Sequence, residues 1–153
     1  MTPLAAFLTA QGYRPIGLAR MASGHLALAE AGVNGQPARL YLDTGAGQTV
    51  LDLAFARKLG LPLAADSRRG AGAGGSSLAI FNATVAELTL AGWTEREVPC
   101  AAMDLAHVNE GLRRRGLDPM DGVIGGDLLA RGEAVIDCRQ AVLYLRACAP
   151  RNP

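Results

Sequence analysis

Asp43-Thr44-Gly45-Ala46 follows the strand-like run Ala38-Arg39-Leu40-Tyr41-Leu42 and precedes the apolar pair Val50-Leu51. The run alternates, Arg39 and Tyr41 against Leu40 and Leu42, the period of a strand with two unlike faces. Asp43 is thereby placed on a tight turn at a strand end, beside a hydroxyl and a glycine that lets backbone or ligand approach closely. Three such residues recur by chance in many chains. About eighty residues later, however, Asp121-Gly122-Val123-Ile124-Gly125-Gly126-Asp127-Leu128-Leu129 reads as an apolar strand, a glycine turn and a helix start. The two segments in this order restrict the chain far more than either does alone.

With 153 residues, half of them hydrophobic, the chain can bury one sizeable core. A formal net charge of +1 gives no global attraction to nucleic acid or to an anionic membrane surface. Arg113-Arg114-Arg115 is the one dense basic run, and Gly116 behind it suits a solvated helix C-terminus, where cations are favoured. The three cysteines, at 100, 138 and 148, have no C-x-x-C spacing, so neither a disulfide framework nor a zinc knuckle is expected. Cys100 and Cys138 would pair only if their strands are neighbours; buried free thiols are the favoured state. No run of eighteen apolar residues is present to span a bilayer. Met1 to Ala10 is apolar but lacks the basic start and the length of a signal peptide, which leaves the compartment unread.

Pro3 to Gln11 is expected to form a short apolar helix ended by Gly12, and residues 1–23 form an N-terminal extension ahead of a single domain at 24–147 and a tail at 148–153. Leu51, Phe55 and Leu59 recur at helical spacing before Gly60, so a helix is expected over Leu51 to Leu59. Alternating apolar positions from Leu78 to Ala102, around Ala91-Gly92, predict a long hairpin. Leu105, Val108 and Leu112 predict a helix within Asp104 to Gly116. Between these elements, Gly70-Ala71-Gly72-Ala73-Gly74-Gly75-Ser76-Ser77 formally contains G-x-G-x-x-G. A dinucleotide site needs that signature to follow a strand and open a helix; here Asp66-Ser67-Arg68-Arg69 precedes it and a β-rich run follows.

From about Gly24 to Arg146 the sequence resembles the retropepsin-like, single-lobe aspartic peptidases. Their pattern is an apolar strand, Asp-Thr-Gly-Ala, a glycine-bearing flap, and apolar-apolar-Gly before a helix. Val33-Asn34-Gly35-Gln36-Pro37 is similar to the hairpin turn that introduces the catalytic strand, and Ala56 to Leu61 to the helix behind the active-site loop. Ala134 to Asp137 and Ala141 to Leu145 are similar to the closing hairpin of bacterial members. The resemblance implies a mainly β, acid-protease β-barrel lobe with short helices that assembles as a homodimer. Only one Asp-Thr-Gly is present, so a second copy would have to supply the second carboxylate across a two-fold axis. It further implies that Gly72, Ala73, Gly74 and Gly75 belong to the flap over a bound polypeptide, against the plainer reading of a surface loop. For some bacterial relatives the setting is the envelope or periplasm.

On that resemblance Asp43 is the catalytic residue, supported by Thr44, Gly45, Ala46, Ile124 and Gly125. Two like carboxylates about 3 Å apart share one proton, so one acts as base on a water while the other donates to the scissile carbonyl, with no metal and no cofactor. Thr44 is expected to be buried, its hydroxyl bonded across the two-fold axis. Gly45 turns its N–H toward the carboxylate, Ile124 and Gly125 lie beneath the loop, and Asp127 begins the next helix. Retroviral members carry an acidic residue and an Arg where this chain has Gly47 and Gly126. Both ion-pair partners are missing together, so no orphan charge is left buried. The flap has no obvious aromatic, and Cys148 to Pro153 reads poorly as an interlocking terminal strand. The alternative reading is a peptide-binding or regulatory module that keeps the fold without cleaving.

Other chemistries are disfavoured. Cys100 with His107 lacks an orienting third group, and His25 with His107 lacks carboxylates at zinc-ligand spacing. Asp118 to Asp121 is too short for a calcium loop, Asn82-Ala83-Thr84 is a sequon by letter only, and Trp93 is expected as a core or edge anchor.

Overall fold

The computed structural model describes residues 1–22, 24–71 and 77–147. Helix α1 (Pro3–Ala10) starts at Thr2, whose hydroxyl accepts the Ala5 N–H at 3.2 Å, with Pro3 in the first turn. It stops at Gly12, whose φ of +85° L-residues rarely adopt. Then follow β1 (Tyr13–Arg20), β2 (Leu26–Leu28), β3 (Ala31–Val33), β4 (Gln36–Pro37) and β5 (Leu40–Leu42). After the Asp-Thr-Gly loop come β6 (Val50–Asp52), α2 (Leu53–Lys58), β7 (Ala64–Ala71), β8 (Ser77–Leu90) and β9 (Trp93–Met103). The chain closes through α3 (Ala106–Arg114), β10 (Gly122–Ile124), α4 (Gly126–Arg131), β11 (Val135–Asp137) and β12 (Val142–Arg146).

The strands pair in the order β11-β12-β1-β2-β5-β10-β6-β9-β8-β3-β4, with β7 antiparallel to β8, giving the mainly β fold the sequence implied. Strand β1 links the two ends of the molecule, pairing with β12 through Tyr13–Gly17 and with β2 through Leu18–Arg20. The stretch read as an N-terminal extension thus contributes a strand to the sheet.

The Asn34-Gly35 turn joins β3 to β4 with Val33 opposite Gln36 and φ of 50° and 77°, the left-handed pair a two-residue hairpin demands. The β8–β9 hairpin turns at Ala91-Gly92 with the same signs, φ 44° and 84°. Helix α2 begins two residues later than its periodicity predicts. Leu51 belongs to β6, opposite Gly122 on one side and Ala102 on the other, and its buried side chain keeps the apolar spacing without being helical. Asp52 precedes α2 but turns its carboxylate to the N–H of Leu105 at 3.0 Å, tying β6 to the entry of α3.

Among the described residues, two apolar clusters form. The larger contains Ile16, Leu40, Leu51, Trp93, Ile124 and Leu143 among its buried members. Trp93 is a core anchor as expected, its indole N–H donating to the Arg146 carbonyl at 2.8 Å. The smaller, on the other face of β5, holds Ala27, Tyr41, Leu105, Leu112 and Met120 beneath α3. An ion pair between Arg131 on α4 and the buried Glu95 on β9 fastens α4 to the sheet. Cys100 is a buried free thiol, whereas Cys138 is free but exposed, because it lies in the turn after β11 and not inside a strand; this corrects the expectation of two buried thiols. Cys148 and the rest of the tail lie outside the described residues.

Candidate active site

Strands β5 and β6, the two legs of the Asp-Thr-Gly loop, do not pair with each other. Strand β10 runs between them, parallel to β5 (Tyr41 opposite Val123) and antiparallel to β6 (Leu51 opposite Gly122). The loop therefore straddles the end of β10. The β5 ladder continues one residue into the loop, the Asp43 N–H donating to the Ile124 carbonyl at 3.1 Å. Beyond it the turn closes on itself: the Ala46 N–H donates to the Asp43 carbonyl at 3.2 Å and the Gly45 N–H to Asp43 Oδ1 at 2.9 Å. The second contact is the one expected of Gly45, and it fixes one oxygen of the carboxylate while the side chain stays exposed.

The loop is anchored from below. Ile124 is fully buried, and Gly125 lies so near the loop that an added Cβ would sit 2.4 Å from the Gln48 carbonyl carbon and 2.8 Å from the Thr49 nitrogen. The Gly126 N–H donates to the Ala46 carbonyl at 2.7 Å. Thr49, which sequence reasoning did not single out, is the hub of this underside. Buried to 3 % exposure, its hydroxyl donates to Asp127 Oδ1 at 2.7 Å and accepts the Gly125 N–H at 3.1 Å. Asp127 Oδ1 also accepts the N–H groups of Thr49 and Leu128, at 2.8 and 2.7 Å. Asp127 does begin α4, but it serves the loop as well as the helix. A threonine just ahead of the apolar pair Val50-Leu51 was the available sequence signal.

On the single chain Asp43, Thr44 and Gly45 are exposed and Ala46 is half-buried. The burial expected for Thr44 is not found on the single chain, where its side chain faces solvent at the tip of the loop. Gly72, Ala73, Gly74 and Gly75, assigned to the flap, lie outside the described residues. Strands β7 and β8, which flank them, form the antiparallel pair that a flap would need.

Next to the loop, a groove of about 530 Å³ is lined by Gln48, Pro62, Ala64, Asn82, Ala83 and Cys100, among others. Burial, with the nearby charge of Asp127 adding to it, pushes the Cys100 thiol up to about 11, which keeps it protonated at neutral pH. A protonated buried thiol is a poor nucleophile, and His107 stands exposed on α3. Among the described residues, no group of three or more His, Cys, Asp or Glu side chains is gathered as a metal site would need. No helix among them is long and apolar enough to cross a membrane.

The aspartyl protease family matches residues 29–128, a span from before the Asn34-Gly35 turn to the first turn of α4. The fold is similar to that of a retropepsin-like aspartic protease from Rickettsia conorii, with a TM-score of 0.56 and 23% identity over 88% of this chain and 89% of that one. It is also similar to the retroviral protease-like domain of Ddi1 from Leishmania major, with a TM-score of 0.51 and 18% identity over 84% and 94% of the two chains. No curated protein matches the sequence. With two thirds of its length, including the whole straddling loop and the strand beneath it, matched by that family, the chain belongs to the aspartyl proteases and has the retropepsin-like fold.

Proposed function

We propose that this chain is an aspartic endopeptidase whose site is completed by a second copy, Asp43 of each protomer holding one water between them. The observation that carries the reading is the state of Asp43. Its carboxylate is exposed at the top of a loop whose backbone is bonded to β10 and α4, with one oxygen already held by the Gly45 N–H. An exposed carboxylate on a rigid support is suited to meeting a substrate, and a single Asp-Thr-Gly per chain makes a two-fold pair the economical route to two carboxylates.

In such a pair, repulsion between like charges keeps one proton shared. The ionised Asp43 takes a proton from the water as it attacks the scissile carbonyl. The protonated Asp43 donates to the carbonyl oxygen, giving a tetrahedral diol that collapses with proton transfer to the leaving amine. Thr44 then falls at the protomer contact, and Gly72 to Gly75 cover the extended polypeptide.

Cleavage of a diverse peptide mixture by the wild type and by Asp43→Asn, across pH 3 to 8, tests this. Asparagine keeps the oxygen that accepts the Gly45 N–H, so the fold is expected to survive while every cut disappears. Cuts that persist in the variant refute the assignment of Asp43. A wild type that is dimeric by mass yet cuts nothing points to a peptide-binding module on the same fold.

A further inference from the structure

We propose that His25, opposite Asp43 across the end of the β2–β5 ladder, is a positioning residue that acts through that carboxylate and extends the working range of the paired Asp43 side chains toward acid pH. The inference rests on the peptidase reading and adds to it how pH regulates the site.

Strand register places the two residues. Leu26 lies opposite Leu42 and Ala27 opposite Tyr41. Leu26 and Leu42 pack with the larger cluster, Ala27 and Tyr41 with the smaller one. One step past the last pair, the same antiparallel register sets His25 opposite Asp43, and the two-residue period puts both on the Tyr41 face. The rings identify that face independently. The centroids of His25 and Tyr41 are 6.4 Å apart with the planes inclined by 40°, the approach of diagonal neighbours on one side of a ladder. The β1–β2 connection is closed by its own backbone, the Gly24 N–H donating to the Met21 carbonyl and the Met21 N–H to the His25 carbonyl, both at 2.9 Å. Residues opposed in this way have Cβ atoms about 4.5–5.5 Å apart, so an imidazole and a carboxylate stand within each other's field.

The other charged groups of the surrounding elements are engaged away from this pair. On β1, Arg20 is opposite Leu26 and so on the other face, its guanidinium donating to the Cys138 and Arg139 carbonyls. On β5, burial holds the Tyr41 phenol above its ordinary range, and its hydroxyl donates to the Asp118 carbonyl at 2.9 Å. Arg39 shares the Tyr41 face but lies four residues before Asp43, where its guanidinium is 3.8 Å from the Asp118 carboxylate and its N–H donates to Asp121 Oδ2. Around α3, Asp104 accepts the Ala106 N–H, and Glu110 takes Arg113 and Arg114 at 3.9 and 3.0 Å. His107, two residues before the buried Asn109, is on the outer side of that helix.

The consequence is a matter of sign. Histidine is the side chain that changes charge between about pH 5 and 8. Cleavage needs one proton on the carboxylate pair. A positive imidazole beside Asp43 favours the ionised form, so the pair sheds its first proton at lower pH and reaches the one-proton state earlier on the way up from acid. Toward neutral pH the imidazole loses its charge, and with it the pull on the second proton. His25 thereby widens the active range at its acid edge while largely sparing the alkaline one.

The pH profile of kcat/KM for one cleaved peptide, measured on the wild type, His25→Gln and His25→Lys at low and high salt, tests the inference. His25→Gln is expected to move the acid edge upward by about half a pH unit, the effect of a unit charge roughly 6 Å away under water-like screening, with the alkaline edge moved less. His25→Lys, charged throughout, should restore the acid edge and lower the alkaline one. Salt at about 1 M, where the screening length is about 3 Å, should bring the three profiles together. Profiles with the same edges in all three proteins, whatever their heights, overturn the role of His25 and leave the peptidase reading standing. A wild type that cuts nothing at any pH overturns both. Because His25 is exposed, both variants are expected to fold, which thermal melting checks; either one alone separates a moved edge from a uniform loss of rate.

Discussion

Gly125→Ala is the substitution on which the account of the loop depends most directly. The backbone of Gly125, at φ −98° and ψ −179°, is open to any residue, so the change brings no torsional penalty. It even reduces the freedom of the unfolded chain, which by itself would stabilise by about 0.4–1 kcal/mol. Against this stands the new Cβ, which would lie 2.4 Å from the Gln48 carbonyl carbon, 2.5 Å from its oxygen and 2.8 Å from the Thr49 nitrogen. All three are backbone atoms of the loop, with no flexible side chain to move aside. The loop must lift, which stretches the Gly125 N–H bond to Thr49 and the Asp43 bond to Ile124. Overpacking of this kind costs about 1–3 kcal/mol, and loosening one buried hydrogen bond costs about 1 kcal/mol more. A net loss of about 2–3 kcal/mol corresponds to a fall in Tm of roughly 4–12 °C at this chain length. Gly126→Ala is the internal control, because its Cβ would meet nothing nearer than the Ala46 carbonyl oxygen at 3.5 Å. Differential scanning calorimetry, with peptide cleavage on the same samples, should show Gly125→Ala destabilised and inactive and Gly126→Ala close to wild type in both. Equal Tm and equal activity for the two variants would refute the idea that the loop rests on β10 through direct backbone contact.

Two further outcomes are expected. Thr49→Val keeps the shape of the hub but removes one of the three donors to Asp127 Oδ1 and leaves the Gly125 N–H without its acceptor, a loss of about 1–3 kcal/mol, to be read from the urea midpoint; an unchanged midpoint would remove Thr49 from the support of the loop. Cys100, held up at about 11 against an ordinary 9.0, favours the folded state fully below pH 9, and that contribution is lost as pH rises to about 11. Up to about 2–3 kcal/mol is at stake, and Cys100→Ala should show a shallower decline than wild type in chemical denaturation between pH 9 and 11.

What the sequence could disclose was what is encoded locally. The Asn34-Gly35 turn was legible because few residue pairs accept two successive left-handed positions, and the β8–β9 hairpin because Ala91-Gly92 follows apolar positions at two-residue spacing, Ala83 and Val85 and then, after a change of phase, Leu88 and Leu90. The start of α2 was misplaced because Leu51 keeps helical spacing with Phe55 while actually filling a strand position between Gly122 and Ala102. Thr49 was missed for a different reason. Its partner Asp127 is 78 residues away, and no local pattern reports a hydrogen bond across that separation. The same limit hid the insertion of β10 between β5 and β6. Asp43 itself was legible because its neighbours on both sides are the loop, not the distant support.

The threading of β10 between the legs of the loop also governs when, as the chain folds, the loop can take its final form. Leu42 meets Ile124, and Thr49 meets Asp127, only after some eighty intervening residues have been made and brought back. Pairings of such long range form late and slowly, since loop closure must precede any gain from the contact. A chain still being synthesised, with β5 and β6 already emerged, holds the Asp-Thr-Gly sequence but not its foundation. The carboxylate acquires its fixed position only once the chain through Asp127 is available to fold, and until then the Asp-Thr-Gly loop lacks the backbone contacts that hold it.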